Sequence, residues 1–152
     1  MRNIKLFMRI HHGPIRIENV TGIVLPITKL LYIVFVYPML KEGLEVIESW
    51  GFKYKTIGFQ WIKKNKSGNG FFFGLGRWTR GNSECCLIGV KGKPHRISNS
   101  VSQLIISSLQ EHSKKPAEVR EKIIELCGDV PRIELFARQK VNGWDCWGNE
   151  VE

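Results

Sequence analysis

Residues Glu111 to Glu152 read EHSKKPAEVREKIIELCGDVPRIELFARQKVNGWDCWGNEVE, a stretch that predicts a helix, a buried strand and a polar loop. Pro116 suits the first helical position, because the N–H that proline lacks has no partner there in any helix. Gly128 can end the helix in a left-handed conformation. The apolar stripe between them recurs at helical spacing and consists of Val119, Ile123, Ile124 and Cys127.

A short strand is predicted after this helix at Ile133, Leu135 and Phe136, and a loop rich in polar and aromatic side chains follows it. Ligands of α/β sheets bind outside the carboxyl ends of the strands, so we expect a ligand at this loop. A plain helix–strand unit with a solvated tail is the alternative that the pattern leaves open. The loop contains Arg138, Gln139, Lys140, Asn142, Trp144, Asp145, Trp147, Asn149 and Glu150.

The composition fits one domain with a substantial core, since the chain has 152 residues of which 43% are hydrophobic and 24% charged. A formal net charge of +9 favours a polyanionic partner, nucleic acid before an acidic membrane surface, although simple solubility would also explain it. The four cysteines form no CxxC pair and the four histidines have no ligand spacing, so we expect no structural metal. Free thiols without a secretion signal predict a cytoplasmic protein.

The first half of the chain predicts a strand, a helix and a second strand. The uninterrupted apolar run Leu30–Tyr37 has eight residues, too few to span a membrane and enough for a buried strand. A helix from Pro38 to a cap at Gly51 and a strand over Phe52–Lys63 follow. This order is typical of a parallel α/β sheet. Further strands are expected near Ile4–Ile10, Cys86–Val90 and Ser98–Ser108.

The segment 63–96 carries most of the positive charge, with eight Lys or Arg residues against one acid. Phenylalanines and a tryptophan are interleaved with the basic residues. Because basic side chains attract phosphates and exposed rings stack on unpaired bases, we predict a nucleic-acid-binding loop over residues 63–84. A surface loop with half-buried aromatics is the alternative. The predicted contacts are Lys63, Lys64, Lys66, Arg77, Trp78 and Arg80.

Four phrases of the sequence, in order, carry a family resemblance. They are EGLEVI at 42–47 with WGF at 50–52, GRWTR at 76–80 with Glu84 and GVKG at 89–92, HSKKP at 112–116, and ELFAR at 134–138 with GWDCWGNE at 143–150. Together they resemble the MT-A70 family of adenine N6-methyltransferases, in the branch found in bacteria and their phages. The resemblance covers about residues 38–152 of a single domain, and residues 1–37 are divergent.

The resemblance implies a Rossmann-like methyltransferase fold that uses S-adenosylmethionine and methylates adenine N6 of a flipped base, in DNA or else RNA. In that family HSKKP and the strand after it line the cofactor cleft. Carried over, Lys115 would contact the cofactor's carboxylate and Arg138 would lie beside the ribose. Asn149 and Glu150 would bond ribose hydroxyls or the adenine edge. Glu134 would help to fix the loop from its strand.

The family's Asp-Pro-Pro-Trp signature is missing, since none of the six prolines follows another proline. The adenine amine is a poor nucleophile, and this signature aims its lone pair at the methyl group, so its loss should slow the reaction severely. We expect the fold to be incomplete ahead of about Pro38. Four hypotheses stay open: an active enzyme, a silent binding subunit or fragment, a partly folded remnant, and a generic basic nucleic-acid-binding domain. A second subunit could supply the signature.

Overall fold

A central sheet organises the molecule, and the computed structural model describes residues 4–9, 28–111, 114–148 and 150–151 of it. Two α-helices accompany the sheet within these residues: α1 (Leu40–Ser49) and α2 (Glu118–Cys127). The strands are β1 (Ile4–Arg9), β2 (Thr28–Phe35), β3 (Lys53–Lys64), β4 (Ser83–Val90), β5 (Leu104–Ser108), β6 (Arg132–Leu135) and β7 (Asp145–Trp147).

The strands are arranged in the order β5-β3-β4-β2-β1-β6-β7. β4 runs antiparallel to both of its neighbours, β2 and β3, whereas the other four pairings are parallel. The prediction of a parallel sheet is therefore wrong for one strand, and the sheet is mixed. The physical reason is the connection between β3 and β4, because residues 65–82 contain no crossover helix and the chain returns beside the strand it left.

Both faces of β2 are buried, which explains its continuous apolar sequence. Leu31, Ile33 and Phe35 face one side and pack in a core cluster with Val46 and Ile47 of α1. The alternate residues of β2 face the other side and pack with α2; this second cluster includes Leu30, Tyr32, Val34, Val119, Ile123 and Cys127. The sheet therefore lies between the two helices.

Most element positions agree with the predictions to within a few residues. A 3-10 turn over Tyr37–Met39 precedes α1. Gly51 lies just after the end of α1 and has a φ of 73°. Gly128 ends α2 with a φ of 79°. The predicted strand near Ile4–Ile10 is confirmed as β1, whereas the predicted polar loop contains the additional short strand β7. The apolar residues 22–27 lie outside the described part of the chain.

The segments with predicted functions follow strands that end at the same edge of the sheet. All strands except β4 end at this edge, and β4 begins there at Ser83. The basic loop therefore leaves β3 at this edge, HSKKP follows β5, and the polar loop follows β6. None of the helices in the described residues is long and apolar enough to cross a membrane.

Candidate functional site

Three charged side chains meet where β3 ends and β4 begins. The Lys115 ammonium bonds Oε2 of Glu84, and the Nζ of Lys63 lies 2.7 Å from Oε1 of the same carboxylate. All three are largely buried, with 5% of the Lys115 and Glu84 side chains and 13% of the Lys63 side chain exposed. We refer to them as the Lys63–Glu84–Lys115 cluster.

The cluster holds its carboxylate in the charged form. Burial raises the pKa of Glu84, but the attraction and hydrogen bonds of Lys115 and Lys63 outweigh burial and leave the pKa below the ordinary value of 4.5. Both ammonium groups also lie over the ring of Trp61, at 5.1 Å for Lys63 and 5.9 Å for Lys115 from its centroid. At neutral pH the Glu84 carboxylate is therefore ionised, and it lies between the two lysine side chains.

The space beside the cluster is small. A cavity of about 10 Å³, lined in part by Trp61, Glu84 and Pro116, has room for roughly one water molecule. This cavity is therefore too small for a ligand of nucleotide size. Within the described residues, no group of three or more His, Cys, Asp or Glu side chains is placed to hold a metal ion.

The loop after β6 brings two predicted cofactor residues together. The Nε of Arg138 lies 2.9 Å from Oε2 and 3.1 Å from Oε1 of Glu150. This pair is open to solvent, with 37% of the Arg138 side chain and 56% of the Glu150 side chain exposed. Asn149, predicted to bond the cofactor, lies outside the described residues. Both described side chains are thus accessible to a ligand at this edge.

Glu134 has a different environment from the other predicted cofactor residues. Its side chain is fully buried and accepts two hydrogen bonds from Arg120 of α2, at 2.7 Å from Nε and 3.2 Å from Nη2. The pair connects β6 to α2, and therefore connects the strand before the polar loop to the helix after HSKKP. This placement puts the carboxylate away from solvent, and the role of Glu134 in fixing the loop stays a prediction.

The backbone of this loop is constrained at both of its ends. Phe136 follows β6 with a φ of 56°, a conformation that side chains other than glycine seldom adopt. The Ala137 N–H donates to the carbonyl of Trp147 at 3.0 Å, and a Cβ on Gly148 would lie 2.4 Å from the Ala137 carbonyl oxygen. Gly148 is therefore required by a backbone contact between the ELFAR and GWDCWGNE segments.

The basic loop between β3 and β4 extends the sheet beyond its edge. The Phe72 N–H donates to the Lys63 carbonyl at 2.9 Å, and the Gly74 N–H donates to the Gly81 carbonyl at 2.9 Å. The second bond closes a tip over residues 75–80 that presents Arg77, Trp78 and Arg80 to solvent. Exposed fractions are high for the apolar side chains Phe71 (50%), Phe73 (70%), Leu75 (93%) and Trp78 (99%).

The six predicted nucleic-acid contacts differ in how far they are exposed to solvent. Lys66 and the three tip residues are exposed and Lys64 is half-buried, while Lys63 lies in the buried cluster. The alternative of half-buried aromatics fits Phe72 alone among the aromatic residues of the loop. No role was predicted for Glu84 or Arg120. A signal for Glu84 was present, since it is the one acid in a strongly basic segment.

Comparison with known proteins shows that one family matches the part of the chain that contains this site. The sequence profile of MT-A70 matches residues 25–150. Type II methyltransferase M.MunI from Mycoplasma sp is 36% identical over 116 residues, which make up 75% of this chain and 47% of that protein. A putative N(6)-adenosine-methyltransferase MT-A70-like protein from Medicago truncatula is 32% identical over 112 residues, or 72% of this chain and 18% of that protein.

The human N(6)-adenosine-methyltransferase catalytic subunit METTL3 is 29% identical over 114 residues, which make up 72% of this chain and 20% of that protein. The chain therefore spans about half of the length of the Mycoplasma relative and about a fifth of the plant and human relatives. The family match includes every residue of the Lys63–Glu84–Lys115 cluster and the Arg138–Glu150 pair.

Proposed function

Because the chain belongs to the MT-A70 family, we propose that it acts in the transfer of a methyl group from S-adenosylmethionine to adenine N6 in DNA. The mixed sheet, in which β4 is the one reversed strand among those described, supports a Rossmann-like methyltransferase arrangement. When bound, the cofactor supplies an electrophilic methyl group on its sulfonium. The residues of this chain bind and orient the cofactor and hold the nucleic acid near it.

The observation that carries this proposal is the collection of donors and acceptors at one edge of the sheet. Lys115 offers a cation for the cofactor's carboxylate, and the Arg138–Glu150 pair is exposed beside the loop after β6. Carboxylate oxygens suit ribose hydroxyls, and the Asn149 amide suits the hydroxyls or the adenine edge. These side chains fit the chemical groups of S-adenosylmethionine, and Glu134 fixes the strand that precedes them.

The basic loop supports a nucleic-acid substrate. Its tip exposes a tryptophan between two arginines, a combination suited to a phosphate backbone and to an unstacked base. The choice of DNA rather than RNA follows the resemblance to the bacterial and phage branch, which agrees with the similarity to a type II methyltransferase.

A second candidate function is a binding subunit without activity of its own. One feature of the sequence favours this candidate. The 152 residues contain no Pro-Pro pair and so lack the family's signature for positioning the adenine amine. In this case the chain holds cofactor and nucleic acid, and a partner chain that carries Asp-Pro-Pro-Trp provides the acceptor side of the site.

The two candidates are separated by a methylation assay on unmodified DNA with radiolabelled S-adenosylmethionine. Activity of the purified chain alone supports the first candidate. Activity that requires an added chain with Asp-Pro-Pro-Trp supports the second. An absence of methyl transfer under both conditions, on DNA and on RNA, would contradict the proposed participation in methyl transfer.

Cofactor binding is tested separately by isothermal titration calorimetry. We expect S-adenosylmethionine to bind the unaltered chain and Asn149→Ala to abolish the binding heat. Asn142→Ala is the matched control, because it removes an exposed amide from the same loop at a position without an assigned contact. An absence of binding heat with the unaltered chain would contradict both candidates.

A further inference from the structure

Lys115 is already paired in the structure with the buried carboxylate of Glu84. The proposed function requires the same ammonium group to reach the carboxylate of S-adenosylmethionine. If Lys115 turned toward the cofactor without compensation, Glu84 would remain as a buried carboxylate, which is strongly unfavourable unless another cation pairs with it. The cluster contains such a cation, because Lys63 holds the other oxygen of Glu84 at 2.7 Å.

We propose that Lys63 is a positioning residue that keeps Glu84 paired while Lys115 exchanges Glu84 for the carboxylate of the cofactor. This inference rests on the cofactor binding proposed above. Lys63 acts through Glu84 and does not itself touch the cofactor. After the exchange, Lys63 and Glu84 form one ion pair, and Lys115 and the cofactor's carboxylate form another.

The geometry and charge of the cluster support this exchange. The two lysines approach different oxygens of one carboxylate, so the Lys63 contact persists when Lys115 leaves. Lys63 sits over the Trp61 ring at 5.1 Å from its centroid, which helps to hold its ammonium group in place. In the exchange, the incoming carboxylate takes the place of the Glu84 carboxylate beside Lys115, so the kind of pairing is kept.

The test is a calorimetric comparison of two ligands that differ in one group, S-adenosylmethionine and decarboxylated S-adenosylmethionine. Lys63→Met leaves Glu84 and Lys115 as a balanced pair, which should fold but should hold Lys115 away from the ligand. We expect Lys63→Met to weaken binding of S-adenosylmethionine by about tenfold or more and to leave binding of the decarboxylated ligand unchanged. Lys63→Arg should restore the affinity, because arginine also pairs with a carboxylate.

The role of Glu84 provides a test in the opposite direction. Glu84→Gln removes the competitor for Lys115, so this variant should bind S-adenosylmethionine at least as tightly as the unaltered chain. Adding Lys63→Met to Glu84→Gln should then change the affinity little, because no buried carboxylate is left to pair. A merely structural role of Lys63 would instead give the same loss in both backgrounds.

Lys55→Met is the control, since Lys55 is an exposed lysine at the other end of β3. Unchanged affinity of Lys63→Met for S-adenosylmethionine, an equal loss for both ligands, or a tenfold loss in Glu84→Gln would each overturn the inference. These results differ from a failure of the proposed function, in which the unaltered chain would bind neither ligand. Thermal unfolding of each variant verifies that the affinities refer to folded protein.

Discussion

Two Arg–Glu ion pairs have different surroundings and therefore contribute differently to the free energy of unfolding. Glu134 and Arg120 are buried, and their desolvated charges depend on each other. Arg138 and Glu150 make a similarly short contact, but water competes for both groups. Distance alone does not separate a residue that maintains the fold from a residue that can respond to a ligand; burial does.

This contrast gives a prediction for stability. Glu134→Gln leaves the Arg120 guanidinium buried without its countercharge, so we expect it to lower the free energy of unfolding by about 3–5 kcal/mol. Glu150→Gln removes the same charge from the exposed pair and should change the free energy by less than about 1 kcal/mol. Urea unfolding followed by tryptophan fluorescence measures both. Equal effects of the two substitutions would contradict the assignment of Glu134 to the fold.

The Lys63–Glu84–Lys115 cluster makes a prediction about pH. The two lysines hold the pKa of Glu84 below its ordinary value of 4.5. The carboxylate therefore stabilises the folded state fully at pH values above the pKa that Glu84 has in the unfolded chain. This contribution is lost as the pH falls through the folded pKa. Urea unfolding from about pH 7 to about pH 3 should show Glu84→Gln approaching the unaltered chain in stability only at the acidic end. A stability difference that is constant over this range would contradict the prediction.

At the level of the element, the basic loop functions as an extension of the β3–β4 pair rather than as an unstructured connection. Backbone hydrogen bonds at Phe72 and Gly74 continue past the end of the sheet, so the tip is displayed at a defined place. The side chains of this tip are exposed, so they do not contribute to the hydrophobic core. Exposed apolar groups beside basic ones are typical of a binding surface.

A salt titration of DNA binding tests the tip. Replacing Arg77 and Arg80 with alanine should lower the slope of log K against log salt by roughly 0.9 per arginine on duplex DNA, because each phosphate contact releases a counterion. Lys53→Ala with Lys55→Ala is the matched control, since it removes the same charge from the opposite end of β3. An equal fall of the slope in both double variants would show that net charge, not the tip, determines binding.

The elements differ in how far the sequence could predict them. The helices depend on local signals, the apolar stripe of α2 and the glycines at positions 51 and 128, and the predictions for them agree with the structure. The direction of β4 depends on the strands with which it pairs, and the sequence of β4 itself does not indicate these partners. The strand β7 has three residues and forms through its pairing with β6, so a period-based prediction could not detect it.

At the level of the whole molecule, the candidate site draws residues from distant parts of the chain to one edge of the sheet. The family motifs identified Lys115, Arg138 and Glu150 as candidates from sequence alone. The pairing of Glu84 with both lysines and of Arg120 with Glu134 could not be predicted, because each pair joins side chains on different elements. Local sequence patterns place residues within one element and do not indicate how two elements pack against each other.

The position of β1 inside the sheet, between β2 and β6, has a consequence for how the chain folds. Lys5 pairs with Arg132, so β1 is paired on one side with β2 early and on the other side only after β6 has been synthesised. Contacts of such long range form slowly, because a large loop must close first. Until then one edge of β1 is open, and an open strand edge invites pairing with other chains. The arrival of β6 thus covers this open side of β1, and at the same time it brings the loop that carries Arg138 and Glu150 next to the older strands.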